Sequence, residues 1–214
     1  MSTFVPQRLA RLHLATPVGE TVLLKQPASY GDQRWSDVLE GAGFSPTGQR
    51  LWTLADSVSP SMQMLICGLN PSPASADSAV AFARPGNRFW PAMLGAGLAE
   101  IDRDPHALLH THHIGMTDLV KRTTRRADEL DRVEFVDGFA RLERLVEWLH
   151  PGSLCFVGLA GWRAAVDRKA TPGWQPHDVG GRPAYVMPST SGLNASAQLP
   201  DLTQHLLRAV AERA

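Results

Sequence analysis

The chain has 214 residues, enough for one ordinary domain with a single hydrophobic core. Its 21 Lys and Arg residues balance 21 Asp and Glu residues, which argues against a protein that coats nucleic acid through a global positive charge but allows a local DNA-binding patch. No apolar run approaches the roughly 20 residues of a membrane-spanning helix, and no signal peptide is visible. We therefore expect a cytoplasmic protein without a membrane partner.

The first quarter of the chain carries weak structural signals. Residues 1–30 contain scattered Pro, Gly and Thr without a long apolar period, which is typical of an extension that packs on a larger body. Residues 34–56 predict two short helices, separated by a turn-forming segment at 43–48. We therefore expect residues 1–55 to form an N-terminal extension and residues 56–214 to form the main domain.

From residue 62 onward, apolar runs alternate with helical periods. Continuous apolar runs predict strands at 62–69, 154–157 and 185–187. The clearest helical period spans 128–149, ends at Pro151-Gly152, and is joined by shorter predicted helices at 88–98, 161–168 and 201–212. Strands that alternate with helices and are apolar on both faces predict an α/β fold. We expect a single domain with three α/β/α layers around a central, mainly parallel sheet.

Two strand-end segments carry the most distinctive residues. The first strand runs into Gly68-Leu69-Asn70-Pro71, followed by a loop at 71–81 that is too polar and small to be a core element, then by Phe82 and the run PGNRFW at 85–90. The last strand runs into a segment of small polar residues at 188–194. Because open α/β sheets bind ligands at the carboxyl ends of their strands, we expect both segments to border one crevice.

These segments resemble the mismatch-specific uracil/thymine DNA glycosylase family, within the uracil-DNA glycosylase superfamily. The family pattern is a strand ending G-[IL]-N-P, an aromatic residue, a [PA]-[GA]-N-R-F-W run, a threonine-rich loop and a late P-x-x-S-G-L. In the same order this chain has GLNP at 68–71, Phe82, PGNRFW at 85–90, GMTDLV at 115–120 and PSTSGL at 188–193. The resemblance covers roughly residues 60–210.

The resemblance implies both a fold and a reaction. The fold would be the uracil-DNA glycosylase-like α/β domain. The enzyme would flip uracil out of double-stranded DNA, chiefly from G:U mismatches and with thymine or damaged bases as further substrates, and hydrolyse the N-glycosidic bond to initiate base excision repair. No Lys is placed to form a Schiff base, so we expect a monofunctional glycosylase, and a monomer.

Two residues are the expected catalytic groups. By the resemblance, Asn70 holds the attacking water through its amide oxygen and positions it rather than deprotonating it. Asp118 stands where the family pattern varies, and a carboxylate there would activate water or stabilise the positive charge on the sugar. The residues alone leave other roles open: Asn70 as a turn residue before Pro71, and Asp118 as an exposed partner of Lys121 or Arg122.

The expected base pocket and DNA surface come from the same segments. Phe82 would stack on the flipped base, and backbone groups near Leu69 and Ser72 would recognise its edge. Leu193 would enter the duplex and fill the gap that the flipped base leaves. The remaining DNA-binding candidates, expected to contact phosphates, are Ser75, Arg88, Ser189, Ser191, Gly192 and Asn194. For Arg88 the sequence also leaves open a role in bracing the site loop from inside.

Two departures from the family pattern bear on specificity. Ser72 stands where the pattern has a glycine, so its side chain would narrow the pocket or add a hydroxyl donor. Ala195 stands where some relatives have a long basic residue that helps to recognise the opposing base. We therefore expect a weaker dependence on a guanine partner.

The sequence predicts no metal and no other cofactor. Cys67 and Cys155 lie in apolar runs that predict buried thiols, and two cysteines cannot by themselves supply the four usual ligands of an iron–sulfur cluster. The HTHH run at 110–113 has no acidic or Cys partner at a matching spacing, which favours a solvent-facing cluster.

Two alternative interpretations remain at this stage. One is a catalytically inactive DNA-binding module of the same fold, which would keep Leu193 and the basic run at 121–126 but would not need Asn70. The other is a nucleotide-binding or hydrolytic Rossmann-like enzyme. The chain has no GxGxxG after a strand, no P-loop and no GxSxG elbow, which argues against the second interpretation.

Overall fold

The computed structural model describes residues 4–211, which form one five-stranded sheet with helices on both faces. The strands are β1 (Met64–Gly68), β2 (Ile114–Asp118), β3 (Ser153–Val157), β4 (Gly173–Trp174) and β5 (Ala184–Met187). The helices are α1 (Val5–Ala15), α2 (Asp32–Gly41), α3 (Pro73–Ser78), α4 (Phe89–Gly95), α5 (Pro105–Thr111), α6 (Arg132–Leu149), α7 (Leu159–Ala165) and α8 (Leu199–Val210). A short 3-10 turn spans Ala127–Glu129.

The strand order is β2-β1-β3-β5-β4, parallel except for β4, which pairs antiparallel with β5 at one edge. Every residue of the four parallel strands is buried, which agrees with their continuous apolar runs. The chain leaves β1 toward β2 and then crosses back to β3 on the other side of β1. Such a reversal opens a crevice at the carboxyl ends of the two flanking strands, where ligands bind in open α/β sheets.

The core consists of one apolar layer on each face of the sheet. On one face, α4 and α8 bury Trp90, Met93 and Leu206 against strand residues such as Ile66. On the other face, α6 and α7 bury side chains including Leu142 and Trp162 against residues such as Phe156. These layers confirm the predicted three-layer α/β/α arrangement around a mainly parallel sheet.

The structure also corrects several sequence expectations. β2 was not predicted, because its residues Ile114–Asp118 include Gly and Asp, which disfavour strands. It forms because β1 and the bridge from Ser57 to Met116 pair with both of its edges. The loop expected at 71–81 contains α3, and the second helix expected within 34–56 is absent, since residues after 43 run in extended and turn conformations.

The N-terminal segment packs on the body of the protein. A small apolar cluster joins α1 and α2 through Leu9, Val38, Leu39 and Phe44. The rings of Phe4 and Tyr30 pack against Trp148 of α6, with centroid separations of 5.5 and 5.6 Å. The division at residue 55 stays a prediction. Among residues 4–211, no helix is both long and apolar enough to cross a membrane.

Candidate active site

The loops that follow β1 and β2 form one hydrogen-bonded unit at the carboxyl edge of the sheet. The N–H of Leu119 donates to the carbonyl of Gly68 at 2.9 Å, and the N–H of Val120 donates to that of Leu69 at 3.0 Å. Farther along, the N–H of Thr124 reaches the carbonyl of Pro71 at 3.2 Å. Pairing thus continues beyond the strands, and it brings the segment that carries Asn70 beside the segment that carries Asp118.

Asn70 is held by the nitrogen of its side-chain amide. Nδ2 donates to the carbonyl oxygen of Arg122 at 2.9 Å and to Oγ1 of Thr124 at 2.8 Å. Both strong contacts are with the loop after β2, and within the described chain no donor contacts Oδ1. Because the two amide hydrogens are engaged, the orientation of the amide is fixed, and Oδ1 remains free to accept a hydrogen bond. Asn70 is therefore more than a turn residue that caps its own backbone, because its amide bonds to the neighbouring loop.

Asp118 lies at the end of β2 with its residue only 5% exposed. Neither cation that the sequence offered as its partner contacts its carboxylate: Lys121 pairs with Asp56 at 2.8 Å and Arg122 pairs with Glu134 at 2.7 Å. Desolvation by burial raises the pKa of Asp118 to about 6, while Lys121 lowers it, Asp56 raises it and Arg141 lowers it. Asp118 is therefore neither exposed nor ion-paired, which rules out an exposed pair with Lys121 or Arg122.

Gly68 allows the carboxylate of Asp118 to approach the floor of the crevice. A Cβ built at residue 68 would collide with Oδ1 of Asp118 and would lie 3.5 Å from Cζ of Phe82. Because residue 68 has no side chain, the carboxylate of Asp118 and the ring of Phe82 can both approach it closely. Any larger residue at position 68 would displace one of them.

Phe82 is half-buried and has a strained backbone. Its φ angle of 58° lies in the left-handed region, which bulky residues rarely adopt. Its ring stacks on Phe89 at the start of α4, with centroids 4.1 Å apart and planes inclined by 23°. Backbone strain that the surroundings maintain is common at binding sites. Phe89 fixes the ring that is predicted to stack on the base.

Leu69 and Ser72, the other two residues expected in the base pocket, have their side chains engaged within the protein. The side chain of Leu69 packs toward Gly161 of α7, in the apolar layer on the α6 face. The hydroxyl of Ser72 accepts from the N–H of Ser75 at 3.3 Å and caps α3, so it is engaged within its own loop. In the described chain, the N–H groups of Leu69, Asn70 and Ser72 have no acceptor. They are the donors that the geometry offers to a bound base.

The late loop after β5 is organised by Arg88. The guanidinium of Arg88 donates to the carbonyls of Ser191, Asn194 and Ala197 at 2.9, 2.6 and 2.5 Å, and its backbone N–H donates to that of Thr190 at 2.9 Å. Arg88 therefore braces the loop from inside, which is the alternative that the sequence left open. Its expected phosphate contact is not supported, because both Nη groups bond to the late loop and Nε is buried.

The tip of the late loop exposes the residues expected to meet DNA. Leu193 is 83% exposed, although it is a large apolar side chain. A Cβ at Gly192 would lie 2.8 Å from the carbonyl of Gly86, so only glycine fits where the two loops touch. Ser189 and Ser191 accept from backbone N–H groups inside the loop, and Asn194 donates to the carbonyl of Ser189 at 2.8 Å. Their roles in binding phosphate stay predictions.

Two further expectations about DNA contacts do not fit the structure. Ser75 is buried at 3% exposure, and its hydroxyl bonds with Ser72 and accepts from the N–H of Ala83, so it stabilises its loop instead of facing phosphate. The basic run at 121–126 is largely neutralised: Lys121 is buried against Asp56, Arg122 pairs with Glu134, and Arg126 pairs with Asp128. It is therefore no continuous positive patch.

Several residues of the site carried only weak sequence signals. Asp56, Lys121 and Arg141 form a buried charge cluster beside Asp118, and Thr124 anchors Asn70. Arg141 could have been noticed, because it lies on the apolar stripe of α6 between Gly138 and Leu145. The signals of the other three depend on partners that are remote in sequence.

The cysteine and histidine residues do not form a metal site within the described chain. Cys67 and Cys155 are free and buried, as predicted, and burial raises the pKa of the Cys155 thiol to about 12. His110 and His113 of the HTHH run are exposed at the end of α5. Across residues 4–211, no group of three or more His, Cys, Asp or Glu side chains could hold a metal ion.

Comparison with known proteins agrees with this fold. The fold is similar to the solution NMR structure of a protein from Methanosarcina acetivorans that is assigned, but not established, as a uracil DNA glycosylase, with a TM-score of 0.52 and 23% identity. The similarity covers 74% of this chain and 96% of that protein. The family model of the uracil DNA glycosylase superfamily matches residues 55–212, which is more than half of the chain and includes every candidate site residue. The chain therefore belongs to the uracil DNA glycosylase superfamily.

Proposed function

We propose that this protein is a monofunctional DNA glycosylase that excises uracil, chiefly from G:U mismatches in double-stranded DNA, as a monomer and without a cofactor. Membership of the superfamily supports a DNA glycosylase role. The observation that carries the proposal is the anchoring of Asn70, because its amide nitrogen is bound by Arg122 and Thr124 while its oxygen stays available. A DNA-binding module without turnover would not need a fixed acceptor at this place.

The reaction requires control of two developing charges. As the N-glycosidic bond breaks, positive charge grows on the sugar and negative charge on the departing base. Oδ1 of Asn70 would accept a hydrogen bond from the attacking water and orient it toward C1′. Asp118, whose pKa of about 6 leaves it mainly ionised at pH 7.5, would stabilise the sugar cation and accept the proton of the water.

The base would be bound by stacking and by backbone donors. Phe82 would present its ring to the flipped base, with Phe89 supporting it from the other side. The free N–H groups at Leu69, Asn70 and Ser72 would donate to the carbonyl oxygens of uracil. As negative charge develops on the base, these hydrogen bonds would strengthen, which lowers the barrier.

The test is single-turnover release of uracil from a U:G duplex by wild type, Asn70→Ala and Asp118→Asn, with EDTA present. We expect wild type to release uracil and each variant to be slower by about two to four orders of magnitude. Leu23→Ala serves as the matched control, because Leu23 is fully exposed and lies in the N-terminal segment. Binding of these duplexes by wild type without release of any base would contradict the proposal and favour the inactive DNA-binding module.

The preference for the opposing base has its own test. Ala195 is exposed at the late loop and has no group that could hydrogen-bond to guanine. We therefore propose that U:G is preferred over U:A and single-stranded uracil only modestly, by about tenfold or less in single-turnover rate. A rate for U:G that exceeds the rate for U:A by several orders of magnitude would contradict this specificity.

A further inference from the structure

A cluster of buried charges lies directly behind the end of β2. The carboxylate of Asp56 accepts from Nζ of Lys121 at 2.8 Å, from Nη1 of Arg141 at 3.0 Å and from Oγ1 of Thr117 at 2.7 Å. Asp56, Lys121 and Arg141 are only 6, 7 and 1% exposed. The cluster joins three elements that are distant in sequence, and the proposed mechanism does not otherwise use it.

The cluster is connected to Asp118 through the backbone. Nη2 of Arg141 donates to the carbonyl oxygen of Asp118 at 3.0 Å, and to Oγ1 of Thr117 at 3.1 Å. Lys121 follows Asp118 by three residues, and its ammonium is turned to Asp56. Both cations therefore lie close to Asp118, but neither donates to its carboxylate, which keeps its lone pairs.

The formal charges of the cluster explain why Lys121 and Arg141 pair with Asp56 while the carboxylate of Asp118 stays unpaired. Lys121 and Arg141 bring two positive charges and Asp56 brings one negative charge, so that only an ionised Asp118 makes the four groups neutral. A buried net charge is costly, which favours the ionised form of Asp118 in spite of its burial. Without Asp56, both cations would instead be free to pair with Asp118.

We propose that Asp56 is a positioning residue that occupies Lys121 and Arg141 and thereby keeps the carboxylate of Asp118 unpaired and available to water and to the sugar cation, while the two cations favour its ionised form. This inference rests on the proposed function, since it assumes that Asp118 takes part in the reaction. The charged and titratable groups around Asp118 are Asp56, Lys121, Arg141 and the thiol of Cys67. Burial raises the pKa of Cys67 well above its usual range, so it stays neutral.

Opposite changes of charge in the cluster should have opposite effects on Asp118. Asp56→Asn removes the negative charge that raises the pKa of Asp118. The two cations remain beside Asp118, so its pKa should fall. Lys121→Gln removes a cation, which raises it. A cluster that only stabilises the fold would not move the two variants in opposite directions.

The experiment is the pH dependence of single-turnover uracil release between pH 5 and 9 for wild type, Asp118→Asn, Asp56→Asn and Lys121→Gln. We expect an acidic limb near pH 6 in wild type, which is absent in Asp118→Asn. The limb should move to lower pH by at least half a unit in Asp56→Asn, with a lower plateau, and to higher pH by a similar amount in Lys121→Gln. Shifts in the same direction, or none, would overturn the inference.

Thr117→Val is the matched control, because it removes one hydrogen bond to Asp56 without changing any charge. It should lower the melting temperature and leave the acidic limb in place. If Asp56→Asn does not fold, the other two variants test the inference. The acidic limb should move in Lys121→Gln and stay in place in Thr117→Val. An acidic limb that persists in Asp118→Asn would instead remove the proposed role of Asp118, which separates that failure from a failure of the inference.

Discussion

At the scale of single residues, the proposed mechanism depends on Oδ1 of Asn70, which accepts no hydrogen bond from the described residues. An amide is too weak a base to deprotonate water, so Asn70 can contribute only by orientation. Orientation requires that its Nδ2 stay bound to Arg122 and Thr124. The carbonyl of Arg122 belongs to the backbone and cannot be removed by substitution, whereas Oγ1 of Thr124 can.

Thr124→Val should therefore lower the single-turnover rate by about tenfold, as loss of one anchor lets the amide of Asn70 rotate. Thr124→Ser keeps the hydroxyl and should retain most of the wild-type rate. The measurement is uracil release at pH 7.5 together with the melting temperature of each variant. A Thr124→Val enzyme as fast as Thr124→Ser and wild type would show that the hydroxyl does not anchor the amide of Asn70.

Leu193 provides a second prediction at this scale. Because its side chain is 83% exposed, Leu193→Ala should leave the melting temperature unchanged. Loss of the wedge that holds an unstacked step open should slow release from duplex U:G by tenfold or more, with a much smaller effect on single-stranded uracil. Equal slowing on both substrates would contradict insertion into the duplex. Leu23→Ala again provides the control for an exposed leucine.

At the scale of elements, the start of α4 carries the late loop. Arg88 stands directly before Phe89, the first residue of the helix, so its position is fixed by the same helix that supports Phe82. Its guanidinium then fixes the loop that presents Leu193. Rigid attachment of a loop to a helix is what a precisely placed wedge requires.

Arg88→Met should release the late loop, because the carbonyls of Ser191, Asn194 and Ala197 lose their donors. We expect a lower melting temperature, faster hydrogen exchange at 188–197 and a loss of duplex activity larger than that of Leu193→Ala. Arg84→Met is the matched control, since Arg84 is an exposed arginine in the same segment. Normal stability of Arg88→Met with weakened DNA binding would restore the phosphate-contact role.

The elements also show what the sequence could and could not predict. The apolar strands β1, β3 and β5 and the long helix α6 were found, because their patterns are local and strong. β2 escaped prediction, since GMTD becomes a strand only by pairing with β1 and with Ser57. The candidate residues lie at the carboxyl edge of the sheet, where the sequence placed them, but the inward roles of Ser75 and Arg88 depend on partners that local patterns do not contain.

At the scale of the whole molecule, the N-terminal segment supports the site from outside. The indole of Trp52 donates to Asp77 of α3 at 2.8 Å, and its carbonyl accepts from Thr123 of the β2 loop at 2.9 Å. Thr53 donates to the carbonyl of Lys121, and Asp56 belongs to the buried charge cluster. Trp52 and Thr53 therefore help to stabilise both loops that carry the catalytic candidates, which gives the end of the N-terminal segment a structural role.

Stability and activity should oppose each other at Asp118. Burial raises its pKa from 3.8 to about 6, so the folded state binds a proton more tightly than the unfolded state does. Ionisation therefore costs stability: the cost is absent below the unfolded pKa, grows as pH rises, and is complete above the folded pKa, where it amounts to about 3 kcal/mol. An enzyme that works at neutral pH must tolerate this cost to keep the carboxylate charged.

Asp118→Asn removes the titratable carboxyl group. The effect of this substitution on the free energy of unfolding should therefore differ between pH 7.5 and pH 4. Relative to wild type, the variant should be more stable at pH 7.5 than at pH 4 by an increment on the order of 2–3 kcal/mol, although it releases uracil much more slowly. Urea denaturation at the two pH values measures this difference, and Asp137→Asn, at an exposed position of α6, should show none. If Asp118→Asn changes stability equally at both pH values, the carboxylate is solvated in the folded protein, and the charge cluster behind it does not control its ionisation.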